Sequence, residues 1–386
     1  MTAPEVLIAA DDRTGALEVA GSAAEALGAI VPVVVGTDRL GVGSEGSSGE
    51  VVVVDLASRH LPPAAAHRLA QELDGLSAGR HVHKIDSTLR GNWAHELVAR
   101  AARGSRPVLL VPALPALGRT CVGGVVLVDG RPVHEGPAAD DPAAPPVSSR
   151  PADLLSAAGA SAVRQLSPRD VEAWADDPVG IAVCDAESEA QLAFAVRSVL
   201  HRPHVLLAGT SAVVRYVVES RRRDAARGPA SNPAPVRPTA SSCLVVCGSL
   251  NPVAREQVID AGRHGAHVLT DGAPVGEAPA DGRPVILLTP PRPSGRIDSN
   301  VSSVVATGLA RRSRELAAQL GVDATIVIGG DTAAAVLGDG DVHVGGLVAP
   351  GAPWTVTDDG RLVVTRAGGF GGPDALRRLI EATLGA

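Results

Sequence analysis

One short segment in the first quarter of the chain concentrates side chains that could bind a small anion. Lys84 supplies an ammonium group, Asp86 a carboxylate, Ser87 and Thr88 two hydroxyls, and Arg90 a guanidinium. Cations can hold the carboxylate of an organic acid, while a carboxylate can accept hydrogen bonds from its hydroxyl groups. The combination predicts a site for a polyhydroxylated carboxylic acid.

Lys84 is also the only lysine of the chain. Lysine and arginine together number 35, so the remaining 34 are arginines. An ammonium group is a compact, flexible point charge, whereas a guanidinium is planar and presents its donors in a fixed fork. A lysine kept in so arginine-rich a chain indicates a working group whose shape matters. The alternative is a surface lysine left by chance.

A second polar group follows the first apolar run of the chain. Asp11 and Asp12 stand directly after this run, and Thr14 and Gly15 open a predicted helix. Ligands of open α/β sheets bind beyond the carboxyl ends of the strands, and free N–H groups at a helix start favour an anion. One acid could accept a hydroxyl proton while the other orients a sugar hydroxyl. The alternative is simple helix capping by Asp12 or Thr14.

Two further features are open to more than one interpretation. Arg59 follows the strand predicted at Val51–Val54 and could pair with a carboxylate; taken alone, it is typical of an ordinary surface arginine. His81 and His83 would share one face of a short strand and could hold a metal. Since no third ligand is near in sequence, a structural or exposed role is favoured.

Three glycine-containing turns occur in the last third of the chain, each between a predicted strand and a helix: residues 247–252, 328–333 and 367–374. Glycines allow backbone to approach phosphate oxygens, and helix N-termini complete such a cradle. None has the Gly-Lys-Ser/Thr of a P-loop or the dinucleotide-binding glycine pattern. A tight turn explains each one singly, but three together point to phosphoryl transfer.

The elements that must position these groups are buried strands alternating with helices, which is typical of α/β domains with mostly parallel sheets. The predicted strands and helices are Val6–Ala9, Ala16–Leu27, Val31–Val35, Val51–Val54, Ala64–Leu73, Val108–Val111, Ile181–Val183, Val205–Leu207, Leu244–Val246, Val285–Leu288, Ile326–Ile328, Val344–Val348 and Leu362–Val364. The proline-rich residues 224–241 predict a linker between a domain at 1–223 and one at 242–386. Residues 41–49 predict a mobile surface loop, and residues 112–124 a rigid loop over the site or a turn.

Bulk composition limits the partners. The net charge of −7 and the lack of long basic runs make nucleic acid an unlikely partner, and no apolar run reaches membrane-spanning length. We therefore expect a cytoplasmic protein with no membrane partner. The four cysteines lack the spacing of a metal site, so small buried residues are the favoured interpretation.

At these motifs the chain resembles the four-carbon acid sugar kinase family. The family's Ala-Asp-Asp-Leu-Thr-Gly-Ala motif is similar to residues 10–16, with Arg13 in place of leucine, and its Lys-Ile-Asp-Ser-Thr-Leu-Arg-Gly motif is unchanged at residues 84–91. Its Gly-Arg-Thr and Gly-Gly pattern matches residues 118–124, and three C-terminal motifs match the glycine turns. Ala333 replaces the usual serine, and the second domain is short for the family.

The resemblance implies two Rossmann-like domains with the active site in a cleft between them. It implies ATP-dependent phosphorylation of a hydroxyl of threonate, erythronate or an oxo-tetronate. For this reaction we expect Mg²⁺ with the ATP phosphates, and Asp331 is the candidate ligand. A homo-oligomer is possible. The implied nucleotide-binding residues are Ser249, Gly329, Gly330, Asp331, Thr332, Gly369, Gly371 and Gly372.

Specific roles follow from these motifs. Asp12 is our first choice for the base on the acceptor hydroxyl and Asp86 the second, with Lys84 as the third catalytic residue. The expected substrate-binding residues are Asp11, Arg59, Ser87, Thr88 and Arg90. A non-catalytic acid-sugar sensor with the same fold is the alternative function. A nicotinamide-dependent dehydrogenase would need the glycine pattern that the chain lacks.

Overall fold

The structure is a computed structural model that describes residues 3–37, 50–141, 144–225, 235–270, 284–288 and 299–385. The loop predicted at residues 41–49 lies outside the described residues, as does the middle of the linker predicted at 224–241. The chain forms two compact units: Met1–Val19 with Pro32–Ser231, and Ala20–Val31 with Asn232–Ala386.

The first part of the chain, up to residue 225, alternates strands with helices. Its elements are β1 (Val6–Ala10), α1 (Arg13–Leu27), β2 (Val31–Val35), β3 (Val51–Asp55), α2 (Pro63–Leu73), β4 (Arg80–Lys84), α3 (Trp93–Ala102), β5 (Val108–Val111), β6 (Arg119–Val122), β7 (Val125–Val128), β8 (Arg131–Pro132), α4 (Pro151–Ala157), β9 (Val163–Leu166), α5 (Val171–Asp176), β10 (Ile181–Cys184), α6 (Glu189–Val199), β11 (Leu206–Gly209) and α7 (Ser211–Ala225).

The strands of the first unit form a parallel sheet in the order β2-β3-β1-β4-β11-β5-β10-β9. All residues of β1 are buried, as expected for apolar strands covered by helices on both faces. Strand β1 lies between β3 and β4, so the chain reverses its direction of winding here. Ala10 is opposite both Asp55 and Lys84. The carboxyl ends of these strands therefore meet at a topological switch point, where open α/β sheets bind ligands.

The second unit contributes a second set of strands and helices. Its elements are β12 (Cys243–Cys247), α8 (Pro252–Arg263), β13 (His267–Thr270), β14 (Val285–Leu288), α9 (Ser299–Leu320), β15 (Ala324–Ile328), α10 (Gly330–Leu337), β16 (Val342–Ala349), β17 (Ala352–Val356), β18 (Leu362–Arg366) and α11 (Ala375–Leu384).

The strand order in the second unit is β13-β14-β12-β15-β18-β17-β16. The first five strands are parallel, and β17 and β16 add to the edge in antiparallel pairing. Strands β12, β15 and β18 are neighbours, with Cys247 opposite Ile328 and Ile328 opposite Arg366. The three glycine turns therefore leave adjacent strands at the same edge of the sheet.

The predicted α/β class with mostly parallel sheets is confirmed. The sequence did not predict the small antiparallel sheet β6-β7-β8, which occupies part of the segment interpreted as a loop or turn. In the part of the chain that the structure describes, no helix has the length and apolar character to cross a membrane.

Candidate active site

The acid pair and Arg59 form one buried ion-pair cluster beyond β1 and β3. Arg59 donates from Nε and Nη2 to the two carboxylate oxygens of Asp11, at 2.8 and 2.9 Å, and from Nη1 to Oδ2 of Asp12 at 2.8 Å. Its Nη2 also lies 3.5 Å from Oδ1 of Asp86. The Arg59 side chain is only 10% exposed. The interpretation of Arg59 as an ordinary surface arginine is therefore wrong.

Asp86 organises the turn that follows β4. Its Oδ2 accepts from the Thr88 hydroxyl at 2.5 Å and from the Thr88 backbone N–H at 3.1 Å. Arg90 donates to both oxygens of Asp86, each at 2.9 Å, and to Oδ2 of Asp141 at 2.7 Å. Ser87 is buried in the same turn. This arrangement fixes Arg90 while leaving a quarter of its side chain exposed.

Lys84 lies among these charges without a carboxylate of its own. It is buried, and Nζ donates to the backbone carbonyl of Ile85 at 3.0 Å. Within the described residues no carboxylate oxygen lies within 4.0 Å of Nζ. A Cβ built on Gly15 would lie 3.1 Å from Nζ and 2.8 Å from Oδ1 of Asp12, so the ammonium group is close to the start of α1. An added side chain at Gly15 would fill this space.

The pKa values of Asp11 and Asp86 are shifted in opposite directions. Burial, opposed by Arg59 and reinforced by Asp12, raises the pKa of Asp11 to about 6. Burial would also raise the pKa of Asp86, but Arg90 and Arg59 together hold that pKa well below its usual range. Asp86 is therefore a permanent anion that accepts hydrogen bonds. Of these two acids, Asp11 is the one that can change its charge near neutral pH.

A buried polar network holds the loop that carries Arg59, through Ser58. The Ser58 hydroxyl donates to Oε1 of Glu96 at 2.5 Å, and Nε2 of His83 lies 2.9 Å from Oε2 of Glu96. Arg100 contacts Nδ1 of His83 at 3.3 Å and Nδ1 of His81 at 2.8 Å. Both histidines are buried, which fits the structural role favoured by the sequence and not the metal alternative. Burial lowers the pKa of both.

Three further charged residues lie near the cluster. Asp55, at the end of β3, accepts from Nε of Arg13 at 2.6 Å, so the extra charge of Arg13 is balanced. Asp141 pairs with Arg90. It lies in a stretch of alanines and prolines, where Asp140 and Asp141 are adjacent acids. Arg119 is buried at the start of β6, within the Gly-Arg-Thr motif.

The Gly-Gly part of that motif forms the turn between β6 and β7. Asp185 accepts from the backbone N–H groups of Gly123 and Gly124, each at 2.9 Å, and from Nε2 of Gln165 at 2.9 Å. Both glycines have positive φ, which favours glycine. The motif therefore has a clear structural use as a hairpin turn.

In the second unit, the three glycine turns approach each other to backbone contact. A Cβ on Gly368 would lie 2.0 Å from Oγ of Ser249, and one on Gly248 would lie 1.9 Å from Oγ1 of Thr332. Gly329, at φ 116°, would place a Cβ 3.3 Å from the backbone nitrogen of Ser249. Side chains at Gly248 and Gly368 would collide, and the positive φ of Gly329 favours glycine, so the close approach of the turns depends on these residues. All three predicted turns are thus brought together.

The remaining predicted nucleotide-binding residues belong to the same three turns. Gly330 begins α10, and the exposed Asp331 and the buried Thr332 follow in its first turn. Gly369 lies near the Asn251 amide, since a Cβ there would be 3.2 Å from Nδ2. Gly371 has φ +87°, and Gly372 comes just before α11. The start of α8 is capped by Asn251, which accepts from the Val253 N–H at 2.9 Å.

The described residues contain no group of three or more His, Cys, Asp or Glu side chains placed to hold a metal ion. The four cysteines are free and buried, as predicted. Mg²⁺ usually binds through one or two carboxylates together with substrate phosphates and water, so a single acid such as Asp331 fits this kind of site.

Comparison with known proteins identifies the family. Residues 6–217 match the sugar-binding N-terminal domain family and residues 244–376 match the nucleotide-binding C-terminal domain family. A D-threonate kinase of Bordetella bronchiseptica is 30% identical over 419 residues, covering 99% of this chain and 98% of the relative. The chain belongs to the four-carbon acid sugar kinase family. It is therefore an enzyme of the phosphotransferase class.

Other relatives of this kinase family agree with that assignment. A 3-oxo-tetronate kinase of Cupriavidus necator is 26% identical, with 96% of each chain covered. A solved Salmonella typhimurium structure, described as a putative tRNA synthase, has a TM-score of 0.72 at 20% identity and covers 97% of this chain and 98% of its own. This last likeness shows the shared fold alone.

A solved structure from Bordetella bronchiseptica is also similar. It is described as a domain of unknown function with bound citrate, in a domain-swapped dimer. Its TM-score is 0.50 at 26% identity, with 99% of each chain covered. The predicted family, fold and enzyme class are thus confirmed, whereas the domain boundaries and the roles of single residues stay predictions.

Proposed function

We propose that this kinase transfers the γ-phosphoryl group of ATP to a hydroxyl of a four-carbon sugar acid. One observation carries the proposal: in the cluster beyond β1, β3 and β4, Arg59 and Arg90 are paired with carboxylates, whereas the one partner of Lys84 among the described residues is a carbonyl. A buried ammonium group without a counter-ion favours an incoming anion. Lys84 would receive the substrate carboxylate or the transferring phosphoryl group.

The acceptor would be held by the turn after β4. The Arg90 side chain, a quarter of which is exposed, supports binding of a carboxylate, and the hydroxyls of Ser87 and Thr88 would supply short-range hydrogen bonds. Asp11 needs a different role from the one expected, because it is fully buried and both its oxygens contact Arg59. We assign Asp11 to positioning Arg59 and not to direct substrate contact.

Asp12 remains our choice for the catalytic base. Its side chain is 16% exposed, while Oδ1 caps α1 at the Gly15 N–H and Oδ2 accepts from Arg59. Asp86, the second choice, is a poor base because its pKa is held well below the usual range after burial is offset by two arginines. Asp12 would take the proton as the acceptor oxygen bonds to the γ-phosphorus and the bond to ADP breaks.

The phosphate donor would be held by the three glycine turns of the second unit. Their backbone N–H groups lie at the starts of α8 and α10 and before α11, where helix termini favour anions. ATP is the donor that we propose, and Mg²⁺ bound with its phosphates would neutralise charge in the transition state. Asp331, at the start of α10, is the carboxylate we propose near this metal.

Several finer points belong to the same proposal. A threonate-type acid is our first choice of substrate, because the D-threonate kinase given above is more similar to this chain than the 3-oxo-tetronate kinase is. A homo-oligomer is supported by the dimer described for the similar Bordetella structure. The cytoplasmic location expected from the sequence stays a proposal. The alternative of an acid-sugar sensor would require the same site without turnover.

The test is a coupled ADP-release screen with the stereoisomers of threonate, erythronate and the oxo-tetronates. We expect ATP-dependent turnover with at least one acid, and an Asp12→Asn variant with the same melting temperature should lose nearly all of it. If an acid bound to the protein but no combination of ATP and acid released ADP, the result would instead support the acid-sugar sensor.

A further inference from the structure

A buried glutamine lies under the third glycine turn. Gln257 of α8 is fully buried, and its Nε2 lies 2.8 Å from the carbonyl oxygen of Phe370, 3.2 Å from that of Gly371 and 3.0 Å from that of Gly372. An amide group has two N–H donors, so these consecutive carbonyls share them. One side-chain amide thus holds residues 370–372 of the turn.

The other end of this amide is held by Arg366. Arg366 donates through Nη2 to Oε1 of Gln257, which fixes the orientation of the amide because a guanidinium can only donate. The Arg366 side chain is buried at the end of β18. Burial lowers its pKa to about 10, so it stays charged near neutral pH. A charged donor on Oε1 polarises the amide and strengthens its N–H bonds to the turn.

The same pair is also connected to the other two turns. The backbone carbonyl of Arg366 accepts from the N–H of Gly329, at 3.0 Å, and Gly329 belongs to the second turn. Gln257 is in α8, whose N-terminus is capped by Asn251 of the first turn. One arginine and one glutamine therefore connect all three turns through direct hydrogen bonds or a single helix.

We propose that Gln257 and Arg366 are positioning residues that set the third glycine turn for nucleotide binding. The inference rests on the proposed function, since it assigns the nucleotide to these turns. Gln257 acts through the turn, because a fully buried amide cannot touch a ligand. A residue that only filled the core would not need a polar group with four partners there.

The decisive variant is Gln257→Glu in the full-length protein. A carboxylate keeps the acceptor for Arg366, but it has no N–H and would face three carbonyl oxygens. We expect KM for ATP to rise about tenfold or more, with kcat and KM for the sugar acid within about twofold. Amide hydrogen exchange at residues 370–372 should also become faster. Gln319→Glu, an exposed change of the same charge in α9, should leave all of these values unchanged.

Gln257→Met serves as a second variant if the glutamate unfolds the protein. It keeps the volume of the side chain and removes both the donors and the acceptor, so KM for ATP should rise here too. Wild-type KM for ATP in both variants would overturn the inference. An equal loss in every kinetic constant with a lower melting temperature would overturn it as well, because it indicates a general structural role. If the wild type does not use ATP, the proposed function fails first.

Discussion

At the scale of single residues, the first prediction concerns Lys84. We predict that Lys84→Arg lowers kcat/KM for the sugar acid roughly a hundredfold or more, which corresponds to about 2–4 kcal/mol of transition-state stabilisation. The charge is kept, but a planar guanidinium cannot take the place of an ammonium beside Asp12 and Gly15. Steady-state kinetics together with a thermal melt check this.

Arg311→Lys, an exposed exchange in the opposite direction, is the matched control. Surface exchanges usually change stability by no more than about 0.5 kcal/mol, so this variant should behave as wild type. If Lys84→Arg kept wild-type kcat/KM, Lys84 would be a leftover basic residue and its assignment would be wrong.

The raised pKa of Asp11 predicts that kcat/KM falls on the acid side of the pH profile. Its pKa is raised from 3.8 to about 6, by burial first and Asp12 second, against Arg59. A raised pKa means that the carboxyl becomes neutral as the pH falls through about 6, and a neutral acid holds Arg59 less firmly. We expect kcat/KM for the sugar acid to decline below that pH. Asp11→Asn resembles the neutral form at every pH, so its lower activity should lack this limb. An unchanged limb in the variant would assign the titration to another group.

The sequence identified most of the charged residues of the site but not how they pair. The motifs at residues 10–16 and 84–91 named Asp12, Lys84 and Arg90 because their types suit a sugar acid. That Arg59 reaches Asp11 depends on β1 and β3 being neighbours, which is a long-range contact without local signal. From the sequence, Asp86 was a possible base because its pairing with Arg90 and Arg59 is not visible there. These ion pairs appear only in the folded structure.

At the scale of elements, the glycine turns carry the next prediction. Gly368→Ala would place a methyl group 2.0 Å from Oγ of Ser249, so the first and third turns would have to separate. We expect KM for ATP to rise several-fold to tenfold with a small change in KM for the sugar acid. Isothermal titration with a non-hydrolysable ATP analogue measures the same loss directly.

Gly308→Ala in α9 is the control, since no atom of the described residues outside its chain neighbours and its own helix backbone lies within 4 Å of the added Cβ. Alanine is the better helix former, so this variant should be slightly more stable and bind the analogue normally. Normal binding by Gly368→Ala would show that the nucleotide does not depend on this close approach.

Strands and helices were predicted where the sequence pattern is local. The valine-rich runs of β1, β2, β3 and β5 were placed within a residue of their ends because buried parallel strands are continuously apolar. The β6-β7-β8 sheet was missed because its short strands are interrupted by Gly and Arg. The Gln257–Arg366 pair gave no sequence signal, since its members lie 109 positions apart.

At the scale of the whole molecule, the two ligands should protect different segments. With ATP, we expect slower amide hydrogen exchange at residues 247–251, 329–332 and 367–372. With the sugar acid, we expect it at residues 11–15, 57–60 and 84–91. The full chain is the right sample, because Ala20–Val31 belong to the compact unit of the C-terminal residues and would be lost from a separate C-terminal fragment. If ATP instead protected mainly the segment around Lys84, the assignment of ATP to the glycine turns would be contradicted.

The central claim is phosphoryl transfer from ATP to a hydroxyl of a four-carbon acid, and product analysis tests it most directly. The purified enzyme is incubated with ATP, Mg²⁺ and D-threonate or its stereoisomers, and the products are examined by mass spectrometry and phosphorus NMR. We predict ADP and an acid heavier by one phosphoryl group, with phosphorus coupled to a carbon-bound proton of the former alcohol. ADP with free phosphate and unchanged acid, or no ADP with any four-carbon acid, would contradict the account.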